Sequence, residues 1–152
     1  MGKSLSDIFD LRSIRTDFDG RTKEMAIAEL IESISVLHPE CDRTALFTAI
    51  MERERKMSTG IGNGAAIPHA PCKGIAGIVG AIGVSKQGID FDALDNRPVH
   101  IIFLFATNVK ADENNLHILN RIIKLIQSEG LAMIKNAKNA EEIHAILSRI
   151  QQ

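Results

Sequence analysis

The sequence predicts an α/β fold, a single three-layer sandwich in which helices flank a central mixed sheet. Residues 22–37 place apolar side chains at helical spacing, as an amphipathic helix does. Residues 99–105, V-H-I-I-F-L-F, are almost entirely apolar, which is typical of a central strand buried on both faces. Helical and extended segments are mixed without a repeat, a linker or a low-complexity stretch. We therefore expect residues 1–152 to form one domain.

The N-terminal third predicts a short helix, an edge strand and a long helix. Residues 6–11 suit a short opening helix, and residues 13–19 alternate as an edge strand does, with Gly20 closing it. The long helix, residues 22–37, must turn its apolar face toward a core, and Pro39 stops it.

The middle of the chain predicts a third helix followed by short strands. Asp42 is suited to cap this helix, which includes residues 47–56. Arg53 and Arg55 then lie in its last turn, where cations interact favourably with the helix dipole. Further extended segments are predicted at residues 65–67, 77–84 and 89–91, with a turn at 86–88 before the last.

The C-terminal third predicts helices. The first starts near residue 112, and its inward-facing residues are expected to be Leu116, Leu119, Ile122, Ile123 and Ile126. Gly130 interrupts it, and a short helix follows. In the last helix Asn139 is the expected cap, with Glu142 three residues on as in a capping box. His144 lies on that helix and is expected to face solvent.

One stretch, residues 53–72, concentrates the polar groups that are capable of chemistry. Gly60, Gly62 and Gly64 invite interpretation as a nucleotide loop, because glycine backbone approaches phosphate closely. Nucleotide loops, however, follow a strand and precede a helix, so that the helix N-terminus faces the phosphates. Here a helix precedes the glycines and a strand follows them. The order of elements argues against a nucleotide site.

His69 is the candidate nucleophile or general base. Pro68 ends the short strand and places His69 at its carboxyl edge, where ligands bind in open α/β sheets. A histidine that simply lies in a surface loop is the alternative, and the residues alone leave both open. His100, inside the apolar strand, is expected to be a packed or edge residue.

Residues 53–69 resemble the active-site signature of enzyme IIA domains of the bacterial phosphoenolpyruvate:sugar phosphotransferase system, in its fructose, mannitol and nitrogen-regulatory class. The matching positions are Arg53, Glu54, Ser58, Thr59, Gly60, Gly62, Gly64, Ala66, Ile67, Pro68 and His69. Residues 88–99 and the helix start at Thr22, Lys23 and Glu24 also resemble this family. The resemblance covers essentially the whole chain.

The resemblance implies that His69 accepts a phosphoryl group from the histidine phosphocarrier protein. His69 then passes the group to an enzyme IIB or holds it as a regulatory signal. Arg53 supplies compensating charge through a guanidinium fork suited to phosphate. Donors to the phosphoryl oxygens are Ser58, Thr59, Gly60, Gly62 and Gly64. No metal and no cofactor are implied, and Arg55 is expected on a solvated helix face.

The chain departs from the family at its second histidine, which sits early in the helix after the long central strand. In N-N-L-H-I-L, Asn115 takes that position and His117 falls two residues later. Two helical residues are roughly 200° apart, so the two positions face different ways. Either Asn115 substitutes as a neutral donor, or the register shifts locally and His117 serves.

Charge and hydropathy exclude several classes of protein. A net charge of -1 gives no electrostatic footprint for nucleic acid. No apolar run approaches the roughly 20 residues that span a bilayer, and the N-terminus does not resemble a signal peptide. Cys41 and Cys72 give neither a disulfide framework nor zinc spacing, and they suit a reducing cytoplasm. We expect a cytoplasmic protein without nucleic-acid binding or membrane insertion.

Three functional hypotheses remain. The first is a phosphoryl carrier, and residues 58–70 together with the expected lack of a fused IIB segment favour the nitrogen-regulatory type over the sugar-specific type. The second is a binding module that kept the fold but lost phosphotransfer, motivated by Asn115. The third is a hydrolase in which His69 activates Cys72, although no acidic residue that orients the histidine is assigned.

Overall fold

A computed structural model of the chain describes residues 4–16, 21–108 and 112–150, with the side chains of all of these except residues 112–115. Within these ranges the strands form one six-stranded sheet. They are β1 (Phe9–Arg15), β2 (Gly60–Gly62), β3 (Ala65–Ala66), β4 (His69–Pro71), β5 (Ile78–Ile89) and β6 (Val99–Thr107). Their order is β1-β5-β6-β3-β2, and β4 also pairs with β6.

The sheet is mixed. β1 runs parallel to β5, and β3 and β4 run parallel to β6. The β5–β6 and β2–β3 pairs are antiparallel. β1 lies at one end of the order, which confirms the predicted edge strand.

Helices cover both faces of the sheet. They are α1 (Leu5–Ile8), α2 (Lys23–Leu37), α3 (Arg43–Lys56), α4 (Asp112–Ile126), α5 (Gly130–Lys135) and α6 (Ala140–Arg149). Apolar residues of α2 and α3 form one buried cluster with one face of the sheet. Those of α1, α4, α5 and α6 form another cluster with the opposite face. The predicted α/β sandwich with a central mixed sheet is confirmed.

β6 is the central strand that its apolar sequence predicts. Even-numbered residues from 102 to 106 belong to the core beneath α2 and α3. Odd-numbered residues from 101 to 105 belong to the core beneath α4 and α6. Because successive side chains point to opposite faces, a strand with both faces covered must be apolar throughout.

Helix starts follow the capping residues of the sequence. Thr22, Asp42 and Asn139 each accept a hydrogen bond from the backbone N–H of the third helical residue, at 3.1, 3.1 and 2.9 Å. In the capping box expected at Asn139, the Glu142 side chain would bind the backbone N–H of Asn139 itself. In the structure it binds the N–H of the preceding residue instead. The carboxylate of Glu142 accepts its hydrogen bond from the backbone N–H of Lys138, at 2.8 Å.

Two predicted boundaries are wrong. The opening helix ends at Ile8, and the strand begins at once because fully buried Phe9 pairs with Gly80 of β5. Residues 17–20, where this strand was expected to end, lie outside the described residues. The turn expected at 86–88 is an irregularity within β5, where pairing with β6 shifts between Val84 and Ile89.

Two predicted orientations are also wrong. The side chain of Leu116 is 62% exposed, and Ile118 is buried in its place. The inward face of α4 is set by Ile118 and Ile122, and residue 116 lies roughly 200° around the helix from residue 118. His144 is half-buried rather than solvent-facing. Its Nε2 lies 2.9 Å from the carbonyl oxygen of Ser6, because α1 packs against α6.

Candidate functional site

The glycine-rich segment forms a tight hairpin at one end of the sheet. Gly62 of β2 pairs with Ala65 of β3, and the two residues between them, Asn63 and Gly64, both have positive φ, 59° and 77°. This is the backbone that a type I′ turn requires, and Asn-Gly is its preferred sequence. Because the hairpin pairs with β6 through β3 and no helix follows it, the nucleotide-loop interpretation fails on structure as well.

His69 is the first residue of β4 and lies beside the carboxyl half of β6. Its backbone pairs with Phe105, and the imidazole stacks on the Phe105 ring with centroids 4.7 Å apart and planes 6° apart. Pro68 separates β3 from β4, as the predicted end of the short strand requires. Its carbonyl oxygen still accepts from the Phe105 N–H, so hydrogen bonding to β6 continues across the break. The histidine is half-buried in the sheet, so the surface-loop alternative is wrong.

The His69 ring is held in one tautomer. Nδ1 lies 2.8 Å from the carbonyl oxygen of Ile67. A carbonyl oxygen only accepts hydrogen bonds, so Nδ1 carries the proton of the neutral ring. Nε2 is then left with the free lone pair. If His69 acts as a nucleophile, Nε2 is therefore the nitrogen available for the attack.

The surroundings of His69 favour the neutral ring. Its pKa is lowered from 6.5, first because burial penalises the charged form. The hydrogen bond to Ile67 acts the other way, the positive charge of Arg53 lowers the pKa further, and Glu54 raises it. A lowered pKa keeps the lone pair available at neutral pH.

Arg53 and Arg55 are both exposed in the last turn of α3 but have different surroundings. Arg53 acts electrostatically on the His69 ring. Arg55 lines a separate groove of about 450 Å³ together with Lys56 and Met57, and His69 is not among the lining residues of this groove. Of the two arginines, Arg53 is the one whose charge acts on the His69 ring.

A buried ion pair, Lys23–Glu54, supports the site. Lys23 Nζ lies 2.9 Å from Glu54 Oε1 and donates to the carbonyl oxygen of Phe91 at 3.3 Å. Glu54 Oε1 also accepts from the backbone N–H of Thr59, at 3.1 Å. The pair thus ties α2 and α3 to the segment that leads into β2. Sequence reasoning named both residues as part of the resemblance but assigned them no role.

The expected phosphoryl-binding donors divide into two groups. Ser58 Oγ donates to the carbonyl oxygen of Phe91 at 2.7 Å and accepts from the Gly60 N–H at 3.0 Å. A Cβ on Gly60 would lie 2.8 Å from Ala93 Cβ, so only glycine permits this approach. Ser58 and Gly60 therefore hold the segment against residues 91–93. The Thr59 hydroxyl is buried and has no hydrogen-bond partner among the described residues.

The remaining glycines shape the hairpin. Gly62 has φ of 108°, and Gly64, besides its positive φ, accepts from the N–H groups of His100 and Ile101 through its carbonyl oxygen. The role of these residues toward a phosphoryl group stays a prediction.

The two candidates for the second histidine lie on α4. His117 is exposed and lines a groove with Leu5, Arg121 and Lys124, a groove whose lining does not include His69. Residue 115 is three positions before Ile118, which places it on the same helix face as that buried residue. The side chain of Asn115 lies outside the described side chains, so its contact with His69 stays a prediction.

Cys72 is not arranged for the hydrolase hypothesis. Its Sγ lies 3.6 Å from the Sγ of Cys41, within the core beneath α2 and α3. His69 stacks on Phe105, which belongs to the core on the other face of the sheet. The thiol and the imidazole are therefore on opposite sides, and activation of Cys72 by His69 does not fit the structure.

No metal site or membrane span is found in the described part of the chain. Residues 4–16, 21–108 and 112–150 contain no group of three or more His, Cys, Asp or Glu side chains arranged to hold a metal ion. Within the same ranges, no helix combines the length and the apolar character needed to cross a membrane.

The chain thus combines a mixed α/β sandwich with a tautomer-fixed histidine that lies at a sheet edge beside a glycine hairpin. The chain matches the family model for "Phosphoenolpyruvate-dependent sugar phosphotransferase system, EIIA 2" over residues 7–150. It belongs to that family.

Proteins similar to this chain are named as fructose-specific components or as nitrogen regulatory proteins. The chain is 32% identical over 148 residues to the PTS system fructose-specific EIIABC component of Bacillus subtilis (strain 168), covering 97% of this chain but only 23% of that protein. It is 30% identical over 148 residues to the nitrogen regulatory protein of Escherichia coli (strain K12), covering 95% and 89% of the two chains. The crystal structure of nitrogen regulatory protein IIA-Ntr from Neisseria meningitidis superposes with a TM-score of 0.86 at 26% identity, covering 94% and 98%.

Proposed function

We propose that this chain is a phosphoryl carrier of the phosphotransferase system in which residues 1–152 act as one enzyme IIA domain and His69 holds the phosphoryl group. One observation carries the proposal: the contact between Nδ1 and the Ile67 carbonyl leaves Nε2 of a neutral ring as the free nucleophile. Membership of the family supports phosphotransfer in general.

The transfer needs positioning and charge compensation rather than acid–base catalysis. The lone pair of His69 Nε2 attacks phosphorus while the P–N bond of the donor phosphohistidine breaks, and the donor imidazole leaves with that electron pair. The proton stays on Nδ1, which donates its hydrogen bond to the Ile67 carbonyl oxygen throughout. Arg53, already close enough to lower the His69 pKa, offsets the charge of the transferred group.

The proposed donor is the histidine phosphocarrier protein, and the acceptor is an enzyme IIB or a regulatory target protein. The Bacillus relative is named an EIIABC component, a name that joins A, B and C components and supports an enzyme IIB partner. The nitrogen-regulatory names of the Escherichia and Neisseria proteins, which span nearly the same length, favour a regulatory role. We place the protein in the cytoplasm, where these partners would reach it.

Asn115 is the proposed replacement for the family's second histidine. Its position on α4 shares the inward face with Ile118, toward the side of the sheet on which His69 lies. An asparagine amide donates a hydrogen bond without carrying charge. His117, which faces the groove with Arg121 and Lys124, is the less favoured alternative.

Intact mass spectrometry tests the proposal. The protein is incubated with phosphoenolpyruvate, enzyme I and the phosphocarrier, as wild type, His69→Gln and the matched control His117→Gln. We expect a gain of roughly 80 Da in wild type and control, and none in His69→Gln. No gain in folded wild type would overturn the proposal. It would favour the binding-module alternative that Asn115 motivates.

A further inference from the structure

Two buried thiols lie in contact on the face of the sheet away from His69. Cys41 is in the turn between α2 and α3, and Cys72 directly follows β4. Their Sγ atoms are 3.6 Å apart although the residues are 31 positions apart in the chain, and both are free cysteines. Their side chains are 6% and 5% exposed. The proposed phosphoryl transfer uses neither thiol.

Backbone hydrogen bonds hold each of the two cysteines in place, and the turns that carry them pack against each other. The N–H of Cys41 donates to the carbonyl oxygen of His38 at 2.9 Å, and the N–H of Cys72 donates to that of Thr107 at 2.7 Å. A Cβ on Gly74 would lie 2.9 Å from the Glu40 carbonyl oxygen, so the turn after Cys72 touches the turn that carries Cys41. The thiols are held face to face by two packed turns.

We propose that Cys41 and Cys72 are a modification site, a dithiol that a small two-electron oxidant such as hydrogen peroxide converts into an intramolecular disulfide. A disulfide bond is about 2.05 Å long, so the two sulfurs must approach each other by about 1.5 Å. The proposal requires rotation of the two side chains and a small shift of the turns to supply this distance.

The reaction balances with peroxide alone. One thiol loses its proton, and its sulfur attacks a peroxide oxygen. The O–O bond breaks, and a sulfenic acid and one water form. The second sulfur attacks the sulfenic sulfur, the S–O bond breaks, and a second water leaves. Two thiols are oxidised by two electrons, and one hydrogen peroxide is reduced to two waters.

The surroundings set which oxidants react and how fast. Burial excludes bulky oxidants such as glutathione disulfide, whereas peroxide is little larger than water. Burial, together with the hydrogen bond to Cys72, raises the pKa of Cys41 to about 12, so its thiolate is scarce at neutral pH. The dithiol therefore stays reduced under ordinary reducing conditions and responds to sustained peroxide.

The disulfide would close a loop around the proposed site. The chain between Cys41 and Cys72 contains Arg53, Thr59 and His69, along with the whole glycine hairpin. A crosslink across 31 positions limits the freedom of the unfolded chain and thereby stabilises the folded one. The inference does not depend on phosphoryl transfer, because it rests on the opposite face of the sheet.

Counting thiols in the full chain tests the site. The protein is treated with dithiothreitol or, for a prolonged period, with a large excess of hydrogen peroxide, then quenched with catalase, unfolded and alkylated with N-ethylmaleimide. We expect two adducts after reduction and none after oxidation, with one peptide pair joining Cys41 to Cys72 in a non-reducing digest. Thiols are counted because exposed Met25 and Met57 also take up oxygen.

Thermal unfolding gives the second readout. We expect the oxidised wild type to melt about 10 °C higher than the reduced form, with reversal by dithiothreitol. Cys41→Ala and Cys72→Ala should show no such rise, and the wild type alone carries the test if either variant fails to fold. Two free thiols after peroxide, sulfinic acid, crosslinks between chains or a lower melting temperature after oxidation would each overturn the proposal.

Discussion

His69 lies beside the central strand β6 and His100 lies within it. Both rings contact a main-chain carbonyl oxygen, yet their surroundings differ. His69 Nδ1 lies 2.8 Å from the Ile67 carbonyl oxygen, and His100 Nδ1 lies 2.9 Å from that of Ser85. In both rings the contact places the proton of the neutral form on Nδ1 and leaves Nε2 as an acceptor. A fixed tautomer is therefore not sufficient to identify a functional histidine.

The difference lies in what surrounds each ring. His69 stacks on Phe105, and Arg53 and Glu54 act on it electrostatically. His100 packs at a bend of β5, where a Cβ on Gly88 would lie 3.3 Å from its Nε2. The first ring combines a free lone pair with nearby charge, whereas the second fills space between strands. Nucleophilic chemistry needs both the lone pair and the compensating charge.

The largest expected effect comes from removing the buried ion pair that ties α2 and α3 to the segment leading into β2. Lys23→Met leaves the Glu54 carboxylate buried without its counter-charge, and its side chain is only 1% exposed. We expect the free energy of unfolding to fall by about 3–5 kcal/mol in chemical denaturation.

Lys86→Met is the matched control on the His100 side. Lys86 is exposed and next to Ser85, whose carbonyl binds His100. Its replacement should change stability by less than about 0.5 kcal/mol. If both variants lost the same free energy of unfolding, the buried ion pair would stabilise the fold no more than an exposed lysine does.

The next effect concerns charge at the site. Arg53→Gln removes the positive charge that acts on His69, so we expect phosphoryl acceptance to slow by about 100-fold in a quenched-flow assay. Arg55→Gln, two residues away and directed into the separate groove, should transfer at close to the wild-type rate. If both variants were equally slow, general surface charge rather than Arg53 would be responsible.

The smallest effect is on the pH dependence of stability. The pKa of folded His69 is lowered from 6.5, chiefly by burial, so the unfolded chain takes up a proton before the folded one as the pH falls. The free energy of unfolding therefore decreases as the pH falls below 6.5, toward the lowered folded pKa. In denaturant titrations, His69→Gln should flatten this dependence relative to wild type. An unchanged slope would contradict the lowered pKa.

Sequence reasoning succeeded where local physical signals were strong. The apolar run over residues 99–105 predicted the central strand, and Thr22 and Asp42 marked helix starts correctly. The order of helix, glycines and strand correctly argued against a nucleotide loop. The position of His69 beside a sheet edge was also anticipated, and the short strand ends before Pro68 as predicted, although a second strand, β4, begins at His69.

The remaining features depend on contacts between distant segments. Lys23 and Glu54 pair across two helices, and Cys41 and Cys72 meet across 31 positions, so no local pattern marks either pair. The predicted inward face of α4 is wrong only at Leu116, which is exposed, whereas Ile122 and Ile126 of the same predicted face are buried.

The most direct test of the account is to locate the phosphoryl group on a specific ring nitrogen. Protein with nitrogen-15-labelled histidine is observed by NMR before and after phosphorylation by phosphoenolpyruvate, enzyme I and the phosphocarrier. We expect the neutral Nδ1–H tautomer of His69 beforehand and phosphorus coupled to its Nε2 afterwards, with His100 unchanged. Phosphorus on Nδ1, or on any residue other than His69, would contradict the account.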